Sequence, residues 1–139
     1  MSQILDTPGH RPPLRRRFAA HLAVSAARPL ARLSPRRIVV LLRFVRRHAT
    51  AATYEQALTA REEVTATSTL CAGTYCLQRS LATALLCRMR GTWPTWCSGV
   101  RTPPFAAHAW IEAEGRPVGE PSDISAYRHL LTVPPAPRP

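Results

Sequence analysis

Residues 76–90 read CLQRSLATALLCRMR. Leu77, Leu81, Ala84 and Leu85 fall at i, i+4, i+7 and i+8, one face of an α-helix, and Gly91 follows as a stop. The spacing predicts a helix over Cys76–Arg90, with Gly73-Thr74 able to cap it and Cys76 in its first turn. A thiol in that position faces unpaired backbone N–H groups and the positive end of the helix dipole, which together favour the thiolate. The same amides can receive the oxyanion of a tetrahedral intermediate. Cysteine is also among the most buried residue types. Simple core filling is the ordinary reading of Cys87, later in the same helix, and of Cys97, in an expected strand.

Beyond the helix, Trp93–Val100 and Ala107–Glu112 read as strands separated by Pro103-Pro104. Glu114-Gly115 is a hairpin-type turn leading into Arg116–Gly119. His108 lies in the run Phe105-Ala106-Ala107-His108-Ala109-Trp110, where small neighbours let another side chain reach the imidazole. A lone histidine in an apolar strand is more often a satisfied core residue than a base. His10, in the tail, His21 and His48, in a basic segment, and His129, near the C-terminus, are weaker candidates. A Cys-His pair needs an acid to orient the imidazole. Glu120 should lie on the strand that returns beside His108, and Asp123, three residues on, is its rival. Either acid alone would ordinarily be a solvated carboxylate.

Two absences narrow the chemistry. The chain has no lysine, so all 19 basic residues are arginine, and Schiff-base catalysis and a GxxxxGK[ST] phosphate loop are excluded. It has no asparagine, so a Cys-His-Asn triad cannot be built and any triad must end in Asp or Glu.

The 139 residues are about the size of one domain. Seven of the nine aromatic residues lie between Tyr54 and Tyr127. Residues 1–13 read as a loose tail. Apolar residues then recur at Leu14, Phe18, Leu22, Leu30 and Leu33, with Pro29 as a break. Ser34-Pro35 reads as an N-cap followed by proline at the first helical position. The next turns place Ile38, Leu41, Leu42 and Val45 on a face expected to pack on the core, opposite Arg36, Arg43, Arg46 and Arg47. A short helix is expected over Tyr54–Glu63.

The net charge of +11 is concentrated at one end. Residues 1–48 carry eleven arginines against Asp6 alone, whereas residues 49–139 carry eight arginines against seven acids. Such a segment can attract nucleic acid, anionic lipid or an acidic partner, and it can equally be a solvated face. Arg15–Ala27 (RRRFAAHLAVSAA) has a basic start and small apolar residues, but its apolar part is short and interrupted by His21, so it reads as helix and not as an export signal. The longest apolar run, Ile38–Leu42, is far too short to span a bilayer. Cys71, Cys76, Cys87 and Cys97 lack the paired knuckle spacing of a zinc site. Reduced thiols and a cytoplasmic location are expected, with no membrane or nucleic-acid partner.

Several blocks together resemble one family. They are Cys76-Leu77-Gln78-Arg79-Ser80-Leu81, the leucine-rich helix ending at Arg90-Gly91, Gly99-Val100-Arg101, and Phe105-Ala106-Ala107-His108-Ala109-Trp110-Ile111-Glu112 with Gly115. In order and separation they resemble the peptidase half of the lasso peptide B proteins, within the transglutaminase-like cysteine protease superfamily. The resemblance implies an α+β fold. Its papain/transglutaminase-like core, a nucleophile helix packed on a small antiparallel sheet, would be preceded here by N-terminal Arg-rich helices. The expected organisation is a tail and basic amphipathic helices over 1–50, the peptidase core over 51–133 and a Pro-rich tail over 134–139.

The resemblance also implies Cys76 as nucleophile, His108 as base and Glu120 as the acid, where Asp is the more familiar residue. The implied activity is a leader peptidase that cuts a ribosomally made precursor peptide at its leader–core junction and needs neither metal nor cofactor. Its expected partners are the precursor, a separate leader-recognition protein, since residues 1–50 do not read as the strand-rich recognition module, and an ATP-using lasso cyclase. Two other readings stay open. The same triad could transfer its acyl group to an amine, as a transglutaminase or acyltransferase does. Alternatively, residues 14–48 could be a non-enzymatic basic binding module.

Overall fold

The computed structural model describes residues 13–68 and 75–137. Cys71 and the Gly73-Thr74 cap lie outside the described residues, as does nearly all of the expected N-terminal tail.

At the centre lies α4 (Cys76–Met89), which is enclosed on nearly every side. Ser80, Leu81, Ala82, Thr83, Ala84, Leu86 and Cys87 are all buried, so the predicted Leu77/Leu81/Ala84/Leu85 stripe is only part of its contact surface. A helix apolar on most sides belongs inside a domain. Burying a leucine such as Leu81 or Leu86 contributes about 1.5–3 kcal/mol. The two buried hydroxyls are satisfied locally: Thr83 Oγ1 donates to Arg79 O at 2.8 Å, and Ser80 Oγ donates to Leu77 O at 3.0 Å. Ser80 also accepts the indole N–H of Trp96 at 3.0 Å, which ties the helix to the sheet. Arg90 caps the helix and Gly91, at φ +87°, ends it as expected.

Two helices pack on α4. The first, α1 (Leu14–Leu30), runs past the expected break at Pro29 by one residue and turns Ala20, Ala23, Val24, Ala27 and Leu30 to the core. The other is α3 (Tyr54–Thr67), four residues longer than expected, which starts in a reciprocal capping box of Thr53 with Gln56. Between them, α2 (Pro35–Val45) begins at Ser34 and Pro35 as predicted, with Ser34 Oγ accepting from the Arg37 amide. On its other flank α4 meets an antiparallel sheet.

The sheet has the order β5 (Arg116–Pro117), β4 (Ala106–Ala113), β3 (Thr95–Arg101), β6 (Arg128–Val133). A separate parallel pair, β1 (Thr50–Ala51) with β2 (Thr92–Trp93), braces the α2–α3 connection against the end of α4. The expected Trp93–Val100 strand is divided at Pro94, because a proline offers no N–H to a ladder. Gly99 is required where β3 faces β6, since a Cβ there would collide with the carbonyl of Arg128.

One expectation is corrected, on α2. On α1, of the apolar residues that recur at helical spacing, Leu14, Phe18 and Leu22 face outward, with Phe18 63% exposed, while Leu30 and the small residues on the opposite side meet the core. On α2, Ile38 and Leu42 are buried, but Leu41 joins Val40 and Phe44 outside, and Phe44 is 60% exposed. Alanines allow close approach to α4, and that close packing selected the face. Each helix therefore carries two apolar faces, one buried and one outside, and neither contains an acid.

Candidate active site

Cys76 is the first residue of α4 and only partly buried. Tyr75 occupies the N-cap and contributes no side-chain hydrogen bond, so the first-turn amides are not capped by their own N-cap residue. His108 sits on β4 opposite Gly99 of β3, with its imidazole close enough to the Cys76 side chain for each to shift the other's ionisation. The ring stacks on Trp110, with centroids 5.7 Å apart, and Tyr127 tilts against it at 5.5 Å. Packing alone thus restricts how the imidazole can turn.

Glu120 closes the row. Its Oε1 lies 2.7 Å from His108 Nε2, which leaves Nδ1 as the ring nitrogen free for Cys76. The Glu120 side chain is only 2% exposed, and its second oxygen, Oε2, is 3.4 Å from Nη2 of Arg61 on α3. The predicted return beside His108 does form, because β5 pairs antiparallel with β4. However, β5 ends at Pro117, so Glu120 lies in the loop beyond it and not on the expected strand. The reason is local: Gly119, at φ +66°, turns the chain away from the sheet. Asp123, the rival acid, is 58% exposed and faces Arg101 at 3.5 Å. The structure brings Cys76, His108 and Glu120 together and leaves Asp123 apart.

The electrostatics follow from these contacts. Burial opposes ionisation of Cys76, but the hydrogen bond with His108, the Ala109 amide and the positive charges of His108 and Arg79 outweigh it, so the thiol lies below its ordinary value. His108 is raised to about 9 by its hydrogen bonds to Cys76 and Glu120, against burial. Glu120 lies below the usual carboxylate value, because its hydrogen bond and attraction to His108, with Arg61 and Arg79 behind, overcome burial. The lowered thiol and the raised imidazole both favour a thiolate–imidazolium pair, the reactive state of a nucleophilic cysteine.

The remaining described cysteines differ in kind. Burial pushes Cys87 up to about 11, and burial together with Glu112 raises Cys97 further still. Among the described residues, one grouping has metal-ligand side chains: Cys97, Glu112 and His129, whose ligating atoms lie within 4.8 Å of one another. Glu112 Oε2 there already accepts the Trp110 indole N–H at 2.9 Å and pairs with His129 Nε2 at 3.0 Å. The candidate site itself is built from one thiol, one imidazole and one carboxylate, a set suited to acyl transfer through a covalent intermediate.

Arg61 and Arg79 were not legible as site residues. Arg61 lies 59 positions from Glu120 in sequence, and only the packing of α3 against the β5 loop joins them. Arg79 did stand within the quoted Cys76–Leu81 block, one helical turn beyond the cysteine. No helix among the described residues is long and apolar enough to cross a membrane.

No curated protein and no solved structure matches the chain significantly. The family model of the transglutaminase-like superfamily matches residues 20–132, from α1 through β6. That span holds α4, nearly all of the sheet and all three members of the Cys76–His108–Glu120 row, and the chain belongs to the transglutaminase-like superfamily.

Proposed function

We propose that this protein is a cysteine peptidase that removes the leader from a ribosomally made lasso peptide precursor. The observation that carries the reading is the continuous row from Cys76 through His108 to Glu120, with the thiol at the start of a helix and the imidazole on a strand. The Cys76 and His108-Ala109-Trp110 blocks, which resemble the lasso B proteins, support the choice of substrate.

The reaction follows from the geometry. The Cys76 thiolate adds to the carbonyl carbon of the last leader residue, and the first-turn amides of α4 stabilise the oxyanion. As the intermediate collapses, the C–N bond breaks and the His108 imidazolium gives its proton to the departing core amine. A thioester remains on Cys76. Neutral His108 then takes a proton from water as the hydroxyl adds to the thioester. Collapse releases the leader carboxylate and restores the thiolate–imidazolium pair. Throughout, Glu120 accepts from Nε2 and holds the ring for work at Nδ1.

Mass spectrometry of a precursor incubated with the protein tests this directly. Hydrolysis gives two peptides whose masses sum to that of the precursor plus one water. Acyl transfer to an amine would instead give a crosslinked product, the outcome that favours the superfamily's other chemistry.

The peptidase would act with a leader-recognition protein and pass the freed core to an ATP-using cyclase. The outward apolar faces of α1 and α2 fit the recognition protein. Leu14, Phe18 and Leu22 run beside Arg15, Arg17 and His21, and Val40, Leu41 and Phe44 beside Arg36 and Arg37. A second copy would set arginine against arginine, whereas an acidic partner with an apolar ridge complements both the charge and the surface. The double variant Phe18→Asp, Phe44→Asp is expected to weaken capture of the recognition protein and slow processing of partner-delivered precursor, with reactivity of the Cys76 thiol unchanged. Unaltered binding by calorimetry would place that partner elsewhere.

A further inference from the structure

We propose that Arg61 is a positioning residue, which holds Glu120 so that a single carboxylate oxygen addresses His108; this rests on the catalytic reading above. A glutamate on a loop can rotate about three side-chain bonds and present either oxygen. Here the two oxygens are divided: Oε1 meets His108 Nε2 at 2.7 Å and Oε2 meets Arg61 Nη2 at 3.4 Å. Because the Glu120 side chain is almost completely buried, solvent cannot stand in for a missing partner.

The stem of Arg61 also closes the space beside this loop. A Cβ on Gly119 would come within 3.0 Å of Arg61 Cδ and Nη1, so the arginine lies flush on the backbone just before Glu120. The segment has little other support, because β5 is two residues long. Instead α3 grips it at two levels. Near the helix start, the Tyr54 amide donates to Glu114 Oε2 at 2.8 Å, the Tyr54 ring lies 4.0 Å beneath the Arg116 guanidinium, and the Tyr54 hydroxyl accepts from the Gly119 amide at 3.5 Å. Two turns later comes Arg61. This arrangement gives a reason for glutamate at position 120: its longer arm can reach the imidazole and the α3 guanidinium together.

Arg61→Met keeps an unbranched stem over Gly119 and removes the charge and the donor fork; Arg61→Lys keeps the charge without the fork. In Arg61→Met, kcat should fall on the order of 10- to 100-fold with KM little changed, since the lost group touches Glu120 and not substrate. The acid limb of kcat/KM should move to higher pH, because the buried carboxylate keeps Arg79 of α4 and His108 but has lost the other cation that favours its ionised form. Arg61→Lys should leave the limb in place and recover only part of kcat.

Carbon-13 titration of the Glu120 carboxyl in substrate-free protein reads the same shift without turnover, so the role of Arg61 is measured even if the substrate differs. A folded Arg61→Met protein with wild-type kcat and an unmoved Glu120 titration would overturn the proposal. If that variant does not fold, Arg61→Lys decides: a fully wild-type kcat there would show that the fork is not needed.

Discussion

Cleavage of the precursor by Cys76→Ala is expected to fall by about 10⁴-fold or more, to the uncatalysed background, with the fold retained. Cys76 is the group that would bond to the scissile carbonyl, and neither other described cysteine can replace it. Cys87 is buried within α4 with its thiol pushed up to about 11, and Cys97 is fully buried in β3. Alanine is also the best helix former, so the start of α4 should tolerate the change. Circular dichroism checks the fold, and the mass of the products checks the loss. Retained cleavage in the variant would remove the nucleophile and the mechanism with it.

Exchanging the carboxylate gives the second large effect. Glu120→Gln keeps the shape of the side chain and removes the charge that stabilises the His108 imidazolium. We expect kcat to fall by about 10²- to 10⁴-fold, and the His108 titration to move down from about 9. The thiolate then becomes less favoured at neutral pH, since its ion-pair partner is more often neutral. Asp123→Asn should behave differently, because Asp123 is exposed and paired only with Arg101 on the surface. Such a pair is worth about 0–1 kcal/mol of stability, and the rate should be almost unchanged. Steady-state kinetics and imidazole NMR titrations of the two variants give the ranking. A larger loss in Asp123→Asn would reverse the assignment of the acid.

The sequence made the local parts of this site readable and hid the parts that depend on packing. Cys76 could be placed at a helix start because the leucine spacing, Gly91 and the helix-end rules act over a few residues. His108 and the returning chain were legible from the strand pattern and the Glu114-Gly115 turn, although Glu120 itself stands past the end of β5. The outward part of α2 was misread, and the facing of α1 could not be read, because periodicity shows that a face is apolar and not whether anything covers it. Small side chains decided the matter on α1, where Ala20, Ala23 and Ala27 let the helix approach α4 and left Phe18 outside. The edge strand β6 was missed because its first residues are exposed and His129 and Leu130 break any clear alternation. Its presence follows from pairing with β3, 28 or more residues earlier along the chain.

The whole mechanism depends on His108 favouring the thiolate of Cys76. The rate of iodoacetamide alkylation, followed at Cys76 by peptide mass mapping across pH, tests it most directly. Labelling of Cys76 should persist below the range where an ordinary thiol ionises and far exceed labelling of Cys87 or Cys97, with Glu120→Gln shifting the profile to higher pH. A Cys76 that reacts only as the pH approaches 9, along an ordinary thiol titration and unaffected by Glu120→Gln, would mean that His108 does not activate it.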